Sequence, residues 1–235
     1  MSIPFVNKNN QKYVFKPGRD NKENVLIKYT KHLFNQTDYF KADCIQSMDK
    51  FIKDKGVLSY DLVLRLAISV GTLYEWTTKS GFGIPYLSYG DFAVVIKKNK
   101  PSRDELAAAV LKNDKMKCKY QVKDQINFVF KNTKKLYSVD EKGYLKSDKM
   151  IKYTGSAGDG FETYYLKQSG RIHNSSGLYS LVRMVARLLF KSEIGVKIGG
   201  EEFERVFEPI RDLPLCWAMR RCVVDDERDR VLVII

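Results

Sequence analysis

The chain has 235 residues, with 41 Lys and Arg against 28 Asp and Glu for a net charge of +13, and 44% of its residues are hydrophobic and 12% aromatic. That length suits one large domain or two small ones, and the apolar and aromatic content excludes global disorder. Cys44, Cys118, Cys216 and Cys222 form no CxxC pair, and only His32 and His173 could add imidazole, so neither a zinc site nor a disulfide framework is expected.

Residues 1–20 are polar and rich in Asn and Lys, with a turn signal at Pro17-Gly18, and read as an irregular arm. A short helix is predicted over Asn24–Asn35. Over Asp38–Lys55, Tyr39, Phe40, Cys44, Ile45, Met48, Phe51 and Ile52 recur at spacings of three and four, which predicts a longer helix stopped at Gly56. Ser59–Thr78 predicts the next, with Leu62, Leu66, Val70 and Leu73 on its apolar face, antiparallel to the one before it. Ser80–Gly90 is a loop of Gly, Pro and aromatics, Phe92–Ile96 a short strand, and Ser102-Arg-Asp-Glu105 a capping box that opens a helix through Leu106–Leu111.

From Lys119 the apolar period changes to two. Lys119–Phe130, Lys134–Val139, Tyr144–Lys146, Ile151–Thr154 and Glu162–Lys167 are predicted strands of an antiparallel meander, with turns at Asp140–Gly143 and Gly155–Gly160. A helix then runs from Gly177 to Lys191 behind the caps Ser175 and Ser176. Its apolar residues cover most of the circumference and leave one polar stripe of Ser180, Arg183, Arg187 and Lys191, so it is expected to be buried. Glu201–Glu208 is a short helix that ends at Pro209. Arg220–Val224 and Val231–Ile235 read as a strand pair around the charged turn 225–229.

The expected fold is therefore α+β: an N-terminal helical part, a central antiparallel β-meander, and a C-terminal buried helix with a terminal strand pair. The chain divides into a polar arm (1–20), a mainly helical lysine-rich part (21–115), and a sheet with helix 177–191 and the strand pair (116–235); residues 21–235 as one continuous domain is the alternative division. The start, MSIPFVNKNN, has no apolar h-region, which gives an intracellular, cytoplasmic expectation. No apolar run approaches the roughly 20 residues of a membrane span. Lipidation signals and internal repeats are absent as well.

The charge is unevenly placed. Residues 1–155 hold 26 Lys, 3 Arg and 16 acids, and residues 156–235 hold 3 Lys, 9 Arg and 12 acids, so the whole excess lies in the first part. Lysine supplies a diffuse field, whereas arginine makes bidentate contacts and tolerates partial burial. The Arg183/Arg187/Lys191 stripe is thus a candidate phosphate groove, against the simpler reading that these side chains snorkel to Glu201, Glu202 or Glu204. The meander interleaves Lys with Tyr: Lys119-Tyr120, Lys135-Leu-Tyr137, Tyr144-Leu-Lys146, Lys152-Tyr153 and Tyr164-Tyr165-Leu-Lys167. Exposed rings among cations can stack unpaired bases, although Tyr and Lys also suit ordinary strands and edges. The candidate nucleic-acid contacts are Arg183, Arg187, Lys191, Arg171, Lys119, Tyr120, Lys123, Lys134, Lys135, Tyr137, Lys152 and Tyr153.

Other constellations carry less. Thr154–Gly160 is Gly-rich but lacks GK[ST] and leads into a strand, so it reads as a hairpin loop and not a phosphate cradle. Glu201-Glu202-Phe-Glu204 and the acids of 225–229 could hold Mg²⁺, yet they sit at a helix start and in a solvated turn. No HExxH or GxSxG motif surrounds His32 or His173. No cofactor, metal or catalytic residue is assigned, and the chemistry leans away from an enzyme. The reading is a sequence-tolerant nucleic-acid-binding protein, single-stranded RNA or DNA favoured. It extends to a self-assembling, coat- or nucleocapsid-like homo-oligomer that uses the N-terminal arm or Val231–Ile235. A metal-dependent phosphodiester or nucleotide enzyme and a peripheral, matrix-like membrane protein are the alternatives.

Overall fold

The computed structural model describes residues 12–14, 21–34, 39–41, 44–97, 125–146, 172–194, 200–223 and 231–232. In chain order the elements are β1 (Lys12–Val14), α1 (Asn21–Leu33), β2 (Tyr39–Lys41), β3 (Cys44–Ser47), α2 (Met48–Lys55), α3 (Tyr60–Lys79), β4 (Phe82–Gly83) and β5 (Phe92–Lys97). There follow β6 (Gln125–Phe130), β7 (Tyr137–Ser138), α4 (Ser176–Phe190), α5 (Gly200–Phe207) and α6 (Pro214–Arg221). The fold is α+β, with helices toward both ends and antiparallel strands between them.

β5 is the centre of the main sheet. It pairs antiparallel with β3 (Ile45 opposite Val95) and with β6 (Val94 opposite Phe128). Its apolar run FAVVI is buried throughout, as a strand covered on both faces requires. α3 lies on β6 and α1, while α2 lies on β3 and β5. The chain then continues as a meander: β7 pairs with β4, Val139 bridges to Leu145, and Tyr144 bridges to His173.

One hydrophobic cluster runs from Leu26 on α1 through the sheet to Cys222 after α6. Phe51 and Phe128 meet edge to face at 6.1 Å, as do Phe92 and Phe130 at 5.7 Å. A polar knot crosses this core. Tyr29 Oη lies 2.6 Å from Ser69 Oγ, Ser69 donates to the Phe128 carbonyl, and the Phe130 N–H donates to Tyr29. α1, α3 and β6 are thereby joined through buried side chains whose polar atoms are satisfied.

α4 is buried along nearly its whole length, as its all-round apolar pattern predicts. It approaches α3 at Gly177, where a Cβ would overlap the Tyr74 hydroxyl and lie 2.7 Å from the Ile84 carbonyl. Only a residue without a side chain admits that approach.

Four expectations are corrected. Asp38–Lys55 is not one helix: β2 and β3 precede α2, because Cys44–Ser47 pairs with Ala93–Ile96 and Ser47 then caps α2 by accepting from Lys50 N–H. The expected pairing of that helix with Ser59–Thr78 gives way to packing of α2 on the sheet. The arm of residues 1–20 contains β1, which pairs with β2. The strand at Arg220–Val224 is overturned at its start, since Arg220 and Arg221 form the last turn of α6. Pro214 opens that helix at a position where its missing N–H costs nothing, and Leu215, Cys216, Ala218 and Met219 bury one face. Val231 and Leu232 have no strand assignment. The helix through 102–111, the strands at 151–154 and 162–167, the loop 154–160 and the acids 225–229 lie outside the described residues.

Candidate functional site

α4 carries Ser180, Arg183 and Arg187 one turn apart, and this polar stripe faces the Leu87–Tyr89 segment. The two walls form a small cleft, open to solvent and lined by Leu87, Ser88, Tyr89, Ser180, Arg183, Met184 and Arg187. Arg183 is only 6% exposed, so a guanidinium has been brought to a nearly buried position at the cleft. The Arg187 side chain is 26% exposed, and its Nη2 lies 3.1 Å from the Glu193 carboxylate.

The opposite wall is held by Asp91. Ser88 and Asp91 form a capping box around the short 3-10 turn Tyr89–Asp91. Asp91 Oδ2 accepts from Ser88 N–H at 2.7 Å, Ser88 Oγ at 2.9 Å and Lys135 Nζ at 2.6 Å, and Oδ1 accepts from Asn132 Nδ2 at 2.8 Å. Lys135 also sits 3.7 Å above the Tyr86 ring, a cation–π contact. Burial pushes the Tyr89 phenol up to about 12; Arg187 pulls the other way and Asp49 adds to the rise. Tyr89 is therefore a neutral hydroxyl at physiological pH. The polar chemistry of the cleft is two guanidiniums and three hydroxyls over the apolar Leu87 and Met184, an arrangement suited to an anion.

The cleft brings together two of the residues assigned from sequence, Arg183 and Arg187. Lys191 is not among its lining residues: α4 ends at Phe190, and Lys191 is exposed in the left-handed region with φ 54°. Arg187 pairs with Glu193 and not with the acids of α5, where Glu204 is held by Arg220 at 2.6 Å. On the basic hairpin Lys134 is exposed, whereas Lys135 is turned inward to Asp91. Tyr137 packs beside Leu145 and Ile172, and the Tyr144 ring lies edge-on to His173 at 5.2 Å. His173 Nδ1 is 2.9 Å from Ser175 Oγ, so Ser175 does not cap α4 with its side chain. Lys119, Tyr120, Lys123, Lys152, Tyr153 and Arg171 lie outside the described residues.

Sequence reasoning missed Ser88, Tyr89 and Glu193. The serine–aspartate spacing at Ser88 and Asp91 was a local sign of an ordered turn. Nothing in the spacing indicated that this turn would face α4. Among the described residues no helix is long and apolar enough to cross a membrane, and no three His, Cys, Asp or Glu side chains are grouped to hold a metal ion. No known protein family and no curated protein matches this chain.

Proposed function

We propose that the protein binds nucleic acid through its phosphate backbone with little sequence preference, single strands favoured, and that the Arg183–Arg187 cleft is a phosphate seat. The observation that carries this reading is the pairing of two arginines one helical turn apart in a cleft whose other polar groups are hydroxyls. A guanidinium fork matches phosphate oxygens. The +13 net charge supplies the long-range attraction that brings a polyanion to such a seat. The preference for single strands rests on the Lys/Tyr interleaving of the sequence between Lys119 and Lys167, since rings among cations stack unpaired bases while the backbone is held. Assembly of several copies along one strand is part of the proposal.

The test is a titration of labelled single-stranded RNA, single-stranded DNA and duplex at two salt concentrations. Binding that weakens steeply with salt and prefers single strands is expected. Arg187→Ala should lower affinity about tenfold, the value of one charged hydrogen-bonded contact. Arg183→Lys keeps a cation at the more buried position and should lower it less. No binding at about 50 mM salt, where phosphate attraction acts most strongly, would remove the reading.

A further inference from the structure

Arg187 is engaged by an acid of its own chain, and the way that partner reaches it is built into the end of α4. Lys191 takes the left-handed conformation, φ 54° and ψ 22°. Its N–H donates to the Arg187 carbonyl at 3.1 Å, and the Ser192 N–H points back to Ala186 at 3.4 Å. This closing turn reverses the chain along its own helix, and Glu193 returns to place Oε1 3.1 Å from Arg187 Nη2. The Glu193 side chain is 81% exposed, and among the described residues that cation is what holds it. A carboxylate oxygen at this distance stands where a phosphate oxygen would stand.

We propose that Glu193 is an internal competitor for the phosphate seat: its carboxylate occupies Arg187 in the free protein and is displaced by the nucleic-acid backbone. This rests on the function proposed above and adds the residue that sets the strength of binding. A tethered, singly charged acid on a solvent-exposed pair is weakly held, so a polyanion displaces it readily, while an isolated monoanion gains little over it. Another acid near this rim is Asp49 on α2, which acts electrostatically on Tyr89, as Arg187 does with the opposite sign. Asp49 has no ion pair with Arg187 among the described residues, and so it serves as the control for a diffuse charge effect.

The experiment measures dissociation constants for labelled oligouridine RNA with the wild-type chain, Glu193→Gln, Asp49→Asn, Arg187→Ala, and the Glu193→Gln/Arg187→Ala double variant. Glu193→Gln is expected to bind about threefold tighter, the scale of an exposed ion pair. The gain should vanish in the Arg187→Ala background, because the competition needs both partners. Equal affinity of wild type and Glu193→Gln would overturn the inference while leaving RNA binding standing. An equal gain from Asp49→Asn, or a gain that persists without Arg187, would overturn it too, since both report only net charge. No binding by the wild type would remove the functional reading, and the inference with it.

Discussion

Lys135 and Asp91 form a largely buried ion pair, 2.6 Å between Nζ and Oδ2 with the side chains 11% and 3% exposed. Lys135 reads from sequence as a surface cation of a Lys/Tyr strand, but its ammonium instead fixes the wall of the cleft opposite α4. Removing one member of such a pair leaves a buried charge behind and costs about 3 kcal/mol or more. Lys135→Met is therefore expected to lower the unfolding free energy by that order, read as a fall in the urea midpoint. An unchanged midpoint would show that Ser88 and Asn132 satisfy Asp91 unaided.

High pH should destabilise the protein through Tyr29. Burial pushes its phenol up to about 12, against lowering contributions from its Ser69 and Phe130 hydrogen bonds. The folded state thus keeps a proton that the unfolded chain releases near pH 10. Its stability is whole below that value and is lost as pH rises from 10 toward 12. The loss amounts to about 2–3 kcal/mol, because each tenfold difference in proton affinity between the folded and unfolded chain is worth about 1.4 kcal/mol. Tyr29→Phe should flatten this part of the profile. It should also cost about 1–3 kcal/mol at neutral pH by removing the partner of Ser69 and Phe130. An identical alkaline limb in that variant would contradict the assignment.

Two glycines separate helix propensity from packing. At Gly177 a Cβ would meet the Tyr74 hydroxyl and the Ile84 carbonyl, the groups joined by a hydrogen bond at 3.1 Å. At Gly200 nothing among the described residues lies within 4 Å. Gly177→Ala is expected to destabilise by about 1–3 kcal/mol through overpacking, against a favourable propensity change of at most about 1 kcal/mol. Gly200→Ala should be neutral or slightly stabilising. Thermal melts of both variants check the contrast, and equal shifts would contradict the close approach of α3 and α4.

The C-terminal segment is tied to the same chain. Leu232 packs against Gly71 of α3, its Cδ2 lying 3.5 Å from where a Cβ would stand, and Cys222 Sγ points to the Val231 carbonyl at 3.7 Å. Leu232→Ala should cost about 1–2 kcal/mol, the scale of a partly buried side chain. Chemical unfolding checks it. A stability loss that depends on protein concentration would mark this contact as one exchanged between copies.

Elements with one clear period were legible. The apolar spacings of α3 and α4 were read within a residue or two, and the all-round apolar character of α4 gave its burial, because packing and propensity agree there. Asp38–Lys55 was misread because Cys44 and Ile45 fit a helical spacing by chance while their partners lie on β5, about fifty residues away. α6 carried a readable start at Pro214 and an apolar face, yet Cys222-Val223-Val224 drew the reading toward a strand. The arginine half of the cleft was visible from helical register alone. Its other half, Ser88–Tyr89, depends on the long-range hold of Asp91 by Lys135 and Asn132, which no local pattern encodes.

The measurement that bears most directly on the phosphate seat is the salt dependence of single-stranded RNA binding for wild type and Arg187→Ala. The logarithm of the association constant falls linearly with that of salt, by about 0.7 for each phosphate contact on a single strand. The phosphate seat predicts weaker binding by Arg187→Ala and a slope shallower by about that amount. Equal slopes and equal affinities would mean that the cleft takes no part, and that the charge of residues 1–155 acts elsewhere on the surface.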